Sequence, residues 1–198
     1  MRFTLVLTLI FILVFSVTTF GQGRKTLIQG DIDHGFYVSQ STKFTGIDGE
    51  FAPLLGGRAG WIIDHTFAVG GAGYSALDKI DTDFLVSERP VEILLAYGGL
   101  QLMYIGNSHQ LVQYEVGTLV GFGGLNYRGS ADDADLPNSD HIFVIEPEAV
   151  FSLNITDYLQ VSSGLSYRWV SGIDYDEVVK DSELSGLATS LMLSFGKF

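Results

Sequence analysis

Residues 141–155 read HIFVIEPEAVFSLNI, a stretch in which two glutamates, Glu146 and Glu148, flank a proline among Phe, Ile, Val and Leu. Its alternation has period two: Phe143, Ile145, Phe151 and Leu153 share one parity, Glu146 and Glu148 the other. Successive side chains on a β-strand point to opposite faces, so the stretch predicts a strand with one apolar face and one face bearing two carboxylates. On that strand their Cα atoms stand about 6.5–7 Å apart. Glycosidase carboxyl pairs span about 5–9.5 Å, so the spacing alone admits an acid–base dyad, and the question becomes whether a substrate has room beside it.

The rest of the chain bears on that room. Seven further segments alternate in the same way: 35–45, 50–63, 66–77, 91–105, 110–127, 159–170 and 184–198, with 142–154 as the sixth in chain order. Their lengths suit tilted membrane strands, and none has a helical period. Short connections at 64–65, 106–109 and 155–158 alternate with long acidic ones at 78–90, 128–141 and 171–183. In an up-and-down barrel this places the tight turns at one end and the long loops at the other, as periplasmic turns and extracellular loops are placed in outer-membrane barrels. The short connection at 45–48 departs from that rhythm.

Sorting the segments by parity separates two surfaces. One collects Phe51, Leu55, Trp61, Val112, Tyr114, Val116, Val120, Phe122, Leu165, Tyr167 and Trp169 with the apolar residues of the opening stretch. The other collects Lys43, Arg58, Gln113, Glu115, Glu146, Glu148, Ser162, Ser166 and Arg168 among several glycines. A narrow lumen needs small residues to make room for a few long charged ones, which places the polar face inside. Trp61 and Trp169, near opposite ends of the apolar band, are the expected interface aromatics. The fourth segment is apolar on both parities and does not distinguish the faces.

Residues 3–20 are an apolar run behind Arg2, with Thr19 and Gly21 three and one residues before Gln22. This predicts a cleaved secretory signal peptide over 1–21, a short N-terminal segment over 22–34 and a barrel over 35–198. The chain has 198 residues, no cysteine and a formal charge of −12. It therefore cannot be a disulfide scaffold, and nucleic acid, which binds basic faces, is excluded as a partner. Only 17% of residues are charged, below the roughly 25% of soluble domains.

Together the signal peptide, the eight amphipathic segments, the alternating loop lengths and the closing SLMLSFGKF with its final Phe198 resemble the small eight-stranded bacterial outer-membrane barrels of the OmpA/OmpX type. The resemblance covers everything after the signal peptide. It implies an all-β, eight-stranded antiparallel up-and-down transmembrane barrel in the bacterial outer membrane. In that family a C-terminal aromatic on the last strand belongs to the signal read by the barrel-assembly machinery, a role that falls here to Phe198. Phe198 does not share the parity of Leu191, Leu193 and Phe195.

An eight-stranded barrel is barely wide enough for its own side chains, so the glutamates are expected to face counter-charges instead of substrate. Lys43, Arg58 and Arg168 balance Glu115, Glu146 and Glu148 as a structural ion-pair network, and pairing Asn154 with Gln160 sets Glu146 opposite Arg168. No catalytic residues, metal ligands or cofactors are expected: His34, His65, His109 and His141 are scattered, and Ser108–His109 falls in a tight turn. Pro53 and Pro147 predict bulges, because proline removes a ladder hydrogen bond. The acidic loops, including ADDADLPNSD at 131–140, offer oxygens to divalent cations but lack the glycine placement of an EF-hand. The functional expectation is a monomer with a structural or surface-interaction role, its partners outer-membrane lipid and the assembly machinery. Competing readings are a narrow channel or transport component, a lipid-modifying membrane enzyme, and a soluble periplasmic ligand-binding barrel with its faces reversed.

Overall fold

The computed structural model describes residues 33–86, 89–128, 139–174 and 178–198. The predicted signal peptide, nearly all of segment 22–34, and most of ADDADLPNSD lie outside these residues. Nine strands form one antiparallel sheet: β1 (His34–Ile47), β2 (Glu50–Ile63), β3 (Phe67–Ala76), β4 (Ile80–Val86), β5 (Arg89–Gly106), β6 (Val112–Arg128), β7 (Ser139–Thr156), β8 (Leu159–Ser171) and β9 (Gly186–Lys197). A single turn of helix, α1 (Asp181–Leu184), interrupts the loop between β8 and β9. Neighbours run in the order β3-β2-β1-β9-β8-β7-β6-β5-β4, and a β3–β5 pairing closes the sheet.

The barrel has eight staves because β4 continues the line of β3. Ser75 pairs with Ala96 and Ile80 with Ile93, so Ala76–Lys79 stand against only Leu94 and Leu95. This bulge carries the third stave into a hairpin with β5. The long loop expected at 78–90 is therefore mostly strand. Alternating Ile80, Thr82 and Phe84 meet the start of β5 there, and charge alone is a poor marker of a loop where strand pairing is available.

Burial follows the predicted parity on β1, β2, β6, β7 and β8. In β7 the pattern alternates strictly from Ser139 to Leu153, with Glu146 and Glu148 inside and Phe143 and Phe151 outside. The prolines cause no bulge. Pro53 stays in register with Phe44, and Pro147 with Thr118; on the β8 side the Glu146–Arg168 and Pro147–Tyr167 pairs drop out of the ladder, yet the offset on either side is unchanged. The gap falls where Pro147 has no N–H to give, and the flanking pairs hold the strands together.

The interior is not polar throughout, as the alternation had suggested. At the loop end Ile47, Leu54, Ile93, Leu95, Leu125, Ile142 and Val144 form a buried apolar core, closed by Val178, Val179 and Leu184 of the β8–β9 loop. At the turn end Tyr37, Ile62, Ala68, Met103 and Ile105 form a smaller cluster on which Phe198 packs. Lys43, Arg58, Glu115, Glu146 and Glu148 lie between the two. The doubly apolar β5 is thereby explained: Ile93 and Leu95 fill the lumen while Leu100 and Leu102 face outward.

Candidate functional site

The hydrogen-bonded charged layer draws on six staves, β1, β2, β5, β6, β7 and β8. Lys43 of β1 reaches across the lumen and donates to Glu146 Oε1 at 2.7 Å, which also accepts from Ser166 Oγ of β8 at 2.6 Å. Tyr97 of β5 donates its hydroxyl to the second oxygen, Glu146 Oε2, at 2.8 Å. Arg58 of β2 spans two carboxylates, with one terminal nitrogen 2.9 Å from Glu115 Oε2 and the other 3.4 Å from Glu148 Oε1. Glu115 accepts further from Ser152 Oγ at 3.0 Å, and Glu148 from the Gln101 amide. Paired and hydrogen-bonded in this way, the buried charges avoid the cost that isolated ones carry.

Glycine makes the space for these long side chains. Arg58 lies between Gly56 and Gly60 on the lumen face of β2; a Cβ at Gly56 would lie 2.5 Å from the Tyr74 ring, and one at Gly60 2.9 Å from the Tyr37 ring. The two tyrosine rings occupy the room the glycines leave, and then serve the cations: Lys43 Nζ lies 3.9 Å from the Tyr74 ring centre, and the Arg58 guanidinium carbon 5.5 Å from that of Tyr37. Such cation–π contacts are attractive and strengthen on desolvation. Tyr37, Tyr74, Tyr97, Gln101 and Ser152 are the members of the layer that sequence reading did not assign. For Tyr37 the signal was available, since it shares the parity of Lys43 on its stave; Tyr97 and Gln101 stand on the segment that is apolar on both parities, where alternation gives no direction.

Arg168 departs from expectation. The β7–β8 register does place it across from Glu146, with Asn154 against Gln160 and Glu148 against Ser166, but it makes no ion pair among the described residues. Its Nε donates instead to the carbonyl of Leu184 in α1 at 2.8 Å, its two terminal nitrogens have no hydrogen-bond partner among the described residues, and its guanidinium carbon lies 5.7 Å from the Tyr97 ring centre. Lys43 reaches Glu146 from across the barrel, while Arg168 extends toward the loop end and holds the loop. Direct opposition on a ladder sets Cα neighbours; side-chain length and direction decide which charged ends meet.

Both glutamates of the opening stretch are therefore occupied by protein donors and almost wholly buried, at 0% and 6% exposure. One cavity beside the layer, at the turn end, has about 10 Å³ and is lined by Arg58, Glu115, Tyr37 and Phe198, enough for about one water. A sugar or peptide does not fit there.

The remaining expected residues lie apart. Trp61 is near the turn end, its ring 5.0 Å from that of His34, and Trp169 is near the loop end; both are more than half exposed. Phe198 follows the last residue of β9 and turns to the lumen side, whereas Leu191, Leu193 and Phe195 face outward. At the turn end Asp33 accepts from Lys197 at 2.6 Å and lies 3.3 Å from His65, whose ring is 5.1 Å from that of His109.

Neither a protein-family model nor a curated relative matches the chain. Solved structures do. Neisserial surface protein A is 12% identical with a TM-score of 0.56, over 85% of this chain and 100% of that one. A major outer membrane protein from Thermus thermophilus is 12% identical with a TM-score of 0.52, over 83% of this chain and 99% of that one. At such identities the likeness is one of fold: with the closed sheet it shows a small eight-stranded antiparallel barrel like those of these two proteins.

Proposed function

We propose that this chain is an integral barrel of the bacterial outer membrane whose filled lumen is its structural core, acting at the cell surface through its rim and loops as a structural or interaction protein. The observation that carries this reading is the outward belt. Every one of the eight staves exposes large apolar side chains, among them Phe36, Phe51, Val69, Leu100, Phe122, Phe151, Leu165 and Leu191, with Phe122 at 73% and Leu100 at 71%. Soluble monomers rarely expose apolar patches beyond a few hundred Å², and a belt around the whole circumference meets that limit only in lipid. On β8 the belt runs from Val161 to Trp169, close to the about 9–11 residues of a tilted membrane strand. A soluble barrel with reversed faces is opposed by the same belt and by the buried charges.

On this reading the turn end faces the periplasm and the loop end the exterior. Apolar side chains stop the lumen at both ends, which supports neither a general porin nor a steady channel, and the occupied glutamates do not support an enzyme. The partners are lipid along the belt and the barrel-assembly machinery during insertion, with Phe198 part of the signal it reads. Divalent cations are further candidates at the acidic loops, and the barrel acts as a monomer. Fractionation with unboiled and boiled gel samples tests the reading. A membrane-fraction protein whose mobility shifts on boiling is expected; a soluble protein with no shift overturns it.

A further inference from the structure

The loop-end rim is not uniform. At the turn end the outward aromatics with polar tips come from several staves and a turn, namely Trp61, Tyr104, Tyr114 and Tyr158. At the loop end the outward aromatics of β1, β2, β6 and β7 are all phenylalanine, Phe44, Phe51, Phe122 and Phe143, while the two with polar tips, Tyr167 and Trp169, stand together on β8. General anchoring at an interface gives no reason for that concentration. What distinguishes β8 is α1, which overhangs it.

Between them lies an open cleft of about 340 Å³, bounded by Tyr167 and Trp169, the backbone at Val170, and Asp181, Ser182 and Ser185, within the size range of small-ligand sites. The rings are 48% and 64% exposed. Ser185 is committed to the fold, donating to the Asp181 carbonyl at 2.7 Å and accepting the Val170 N–H at 3.0 Å. The Asp181 carboxylate accepts from the N–H groups of Ile173 at 3.0 Å and Gly172 at 3.4 Å, which leaves lone pairs on both oxygens. The Tyr167 hydroxyl, the Trp169 indole N–H and the exposed Ser182 hydroxyl have no protein partner among the described residues. Two aromatic faces with polar tips below and a hydroxyl and a carboxylate above suit a ligand that is flat and apolar on one side and rich in hydroxyls at its edge. The carboxylate disfavours phosphate and sulfate. Below the rings the wall continues as Leu165 and Leu187 of the apolar belt, so chains attached to such a headgroup would lie along the barrel.

We propose that the cleft between Tyr167, Trp169 and α1 binds the uncharged sugar headgroup of a glycolipid. The inference rests on the membrane reading above. The chain has two tryptophans, so Trp61→Phe leaves Trp169 as the sole indole reporter. The protein is reconstituted into phosphatidylcholine vesicles with and without monogalactosyl diacylglycerol. A saturable shift in Trp169 emission with the galactolipid is expected, lost in a Tyr167→Phe, Ser182→Ala double variant. Equal emission in both vesicles overturns the proposal, as does a shift that survives the double variant. An equal response to free methyl galactoside in glycolipid-free vesicles overturns the lipid source. Lipid co-purified with the unsubstituted protein gives a second readout: several-fold enrichment of galactolipid over the bulk is expected, and an unenriched ratio overturns the proposal. Protease protection of the barrel separates the two readings. An inserted barrel with no lipid response sinks the cleft alone, whereas a barrel that never inserts sinks the membrane reading beneath it.

Discussion

Glu146 illustrates how one buried carboxylate is satisfied. Lys43, Ser166 and Tyr97 all donate to it, whereas Arg168, its neighbour on the ladder, holds the Leu184 carbonyl instead. Removing one member of a buried pair strands the other, at about 3–5 kcal/mol. Lys43→Met is therefore expected to lower stability by that order in urea unfolding from vesicles, and adding Glu146→Gln should recover much of the loss. Arg168→Met should cost less than Lys43→Met, because it strands no carboxylate, while raising protease cleavage in the β8–β9 loop. Equal losses for the two single variants would restore Arg168 to the ion-pair network. At the exposed turn end, the hydrogen bond from Lys197 and that from the His34 N–H hold the Asp33 carboxyl down at about 2, against an ordinary 3.8. A lowered carboxyl value means the tie is present above the ordinary range and is lost as pH falls through 3.8 toward about 2. Solvent screens the exposed pair, so its stability share is small. A carbon-13 titration should place the Asp33 midpoint near 2, and Lys197→Gln should move it up toward 3.8.

Among the elements, β7 and the β5–β6 pair show opposite ways of meeting a local difficulty. Pro147 faces outward and leaves a two-residue gap on the β8 side, bridged by Ile145–Trp169 and Glu148–Ser166 without a shift in register. Pro147→Ala supplies the missing donor, so a gain of about 0.5–1.5 kcal/mol is expected in thermal unfolding, with slower amide exchange at residue 147's neighbours. On β6, Gly121 is demanded by close approach: a Cβ there would lie 2.1 Å from the Gly98 carbonyl oxygen and 2.5 Å from Gly99 Cα. At Gly73, on the outer face of β3, the nearest atom would be 3.6 Å away. Gly121→Ala should therefore destabilise the barrel markedly and Gly73→Ala should not. Similar unfolding midpoints for the two would remove close packing as the reason for the lumen glycine.

For the whole molecule, closure of the sheet and filling of the lumen act together. The β3–β5 pairing joins the ends of the stave order, so the barrel has no open edge of unpaired backbone groups. The interior then stacks as a turn-end apolar cluster, a charged layer and a loop-end apolar core under Val179 and Leu184. Planar bilayers should accordingly show no steady conductance, and Leu184→Asp, which places a charge beneath the loop, should unseat it and raise proteolysis of residues 172–185. The eight staves, the faces of the clearly amphipathic segments and the Asn154–Gln160 register of β7 and β8 were legible in the sequence, because period two is a local property that one buried face enforces along a strand. The hairpin of β4 on β5 was hidden by the acidity of 78–90, and the apolar loop-end core by a β5 that is apolar on both faces. The sequence by itself thus determined a barrel with charges inside and an apolar belt outside. Which charges meet, with Lys43 taking Glu146 and Arg168 turning to α1, was decided only by the tertiary structure, since reach across a closed lumen depends on side-chain length and direction from staves far apart in the chain.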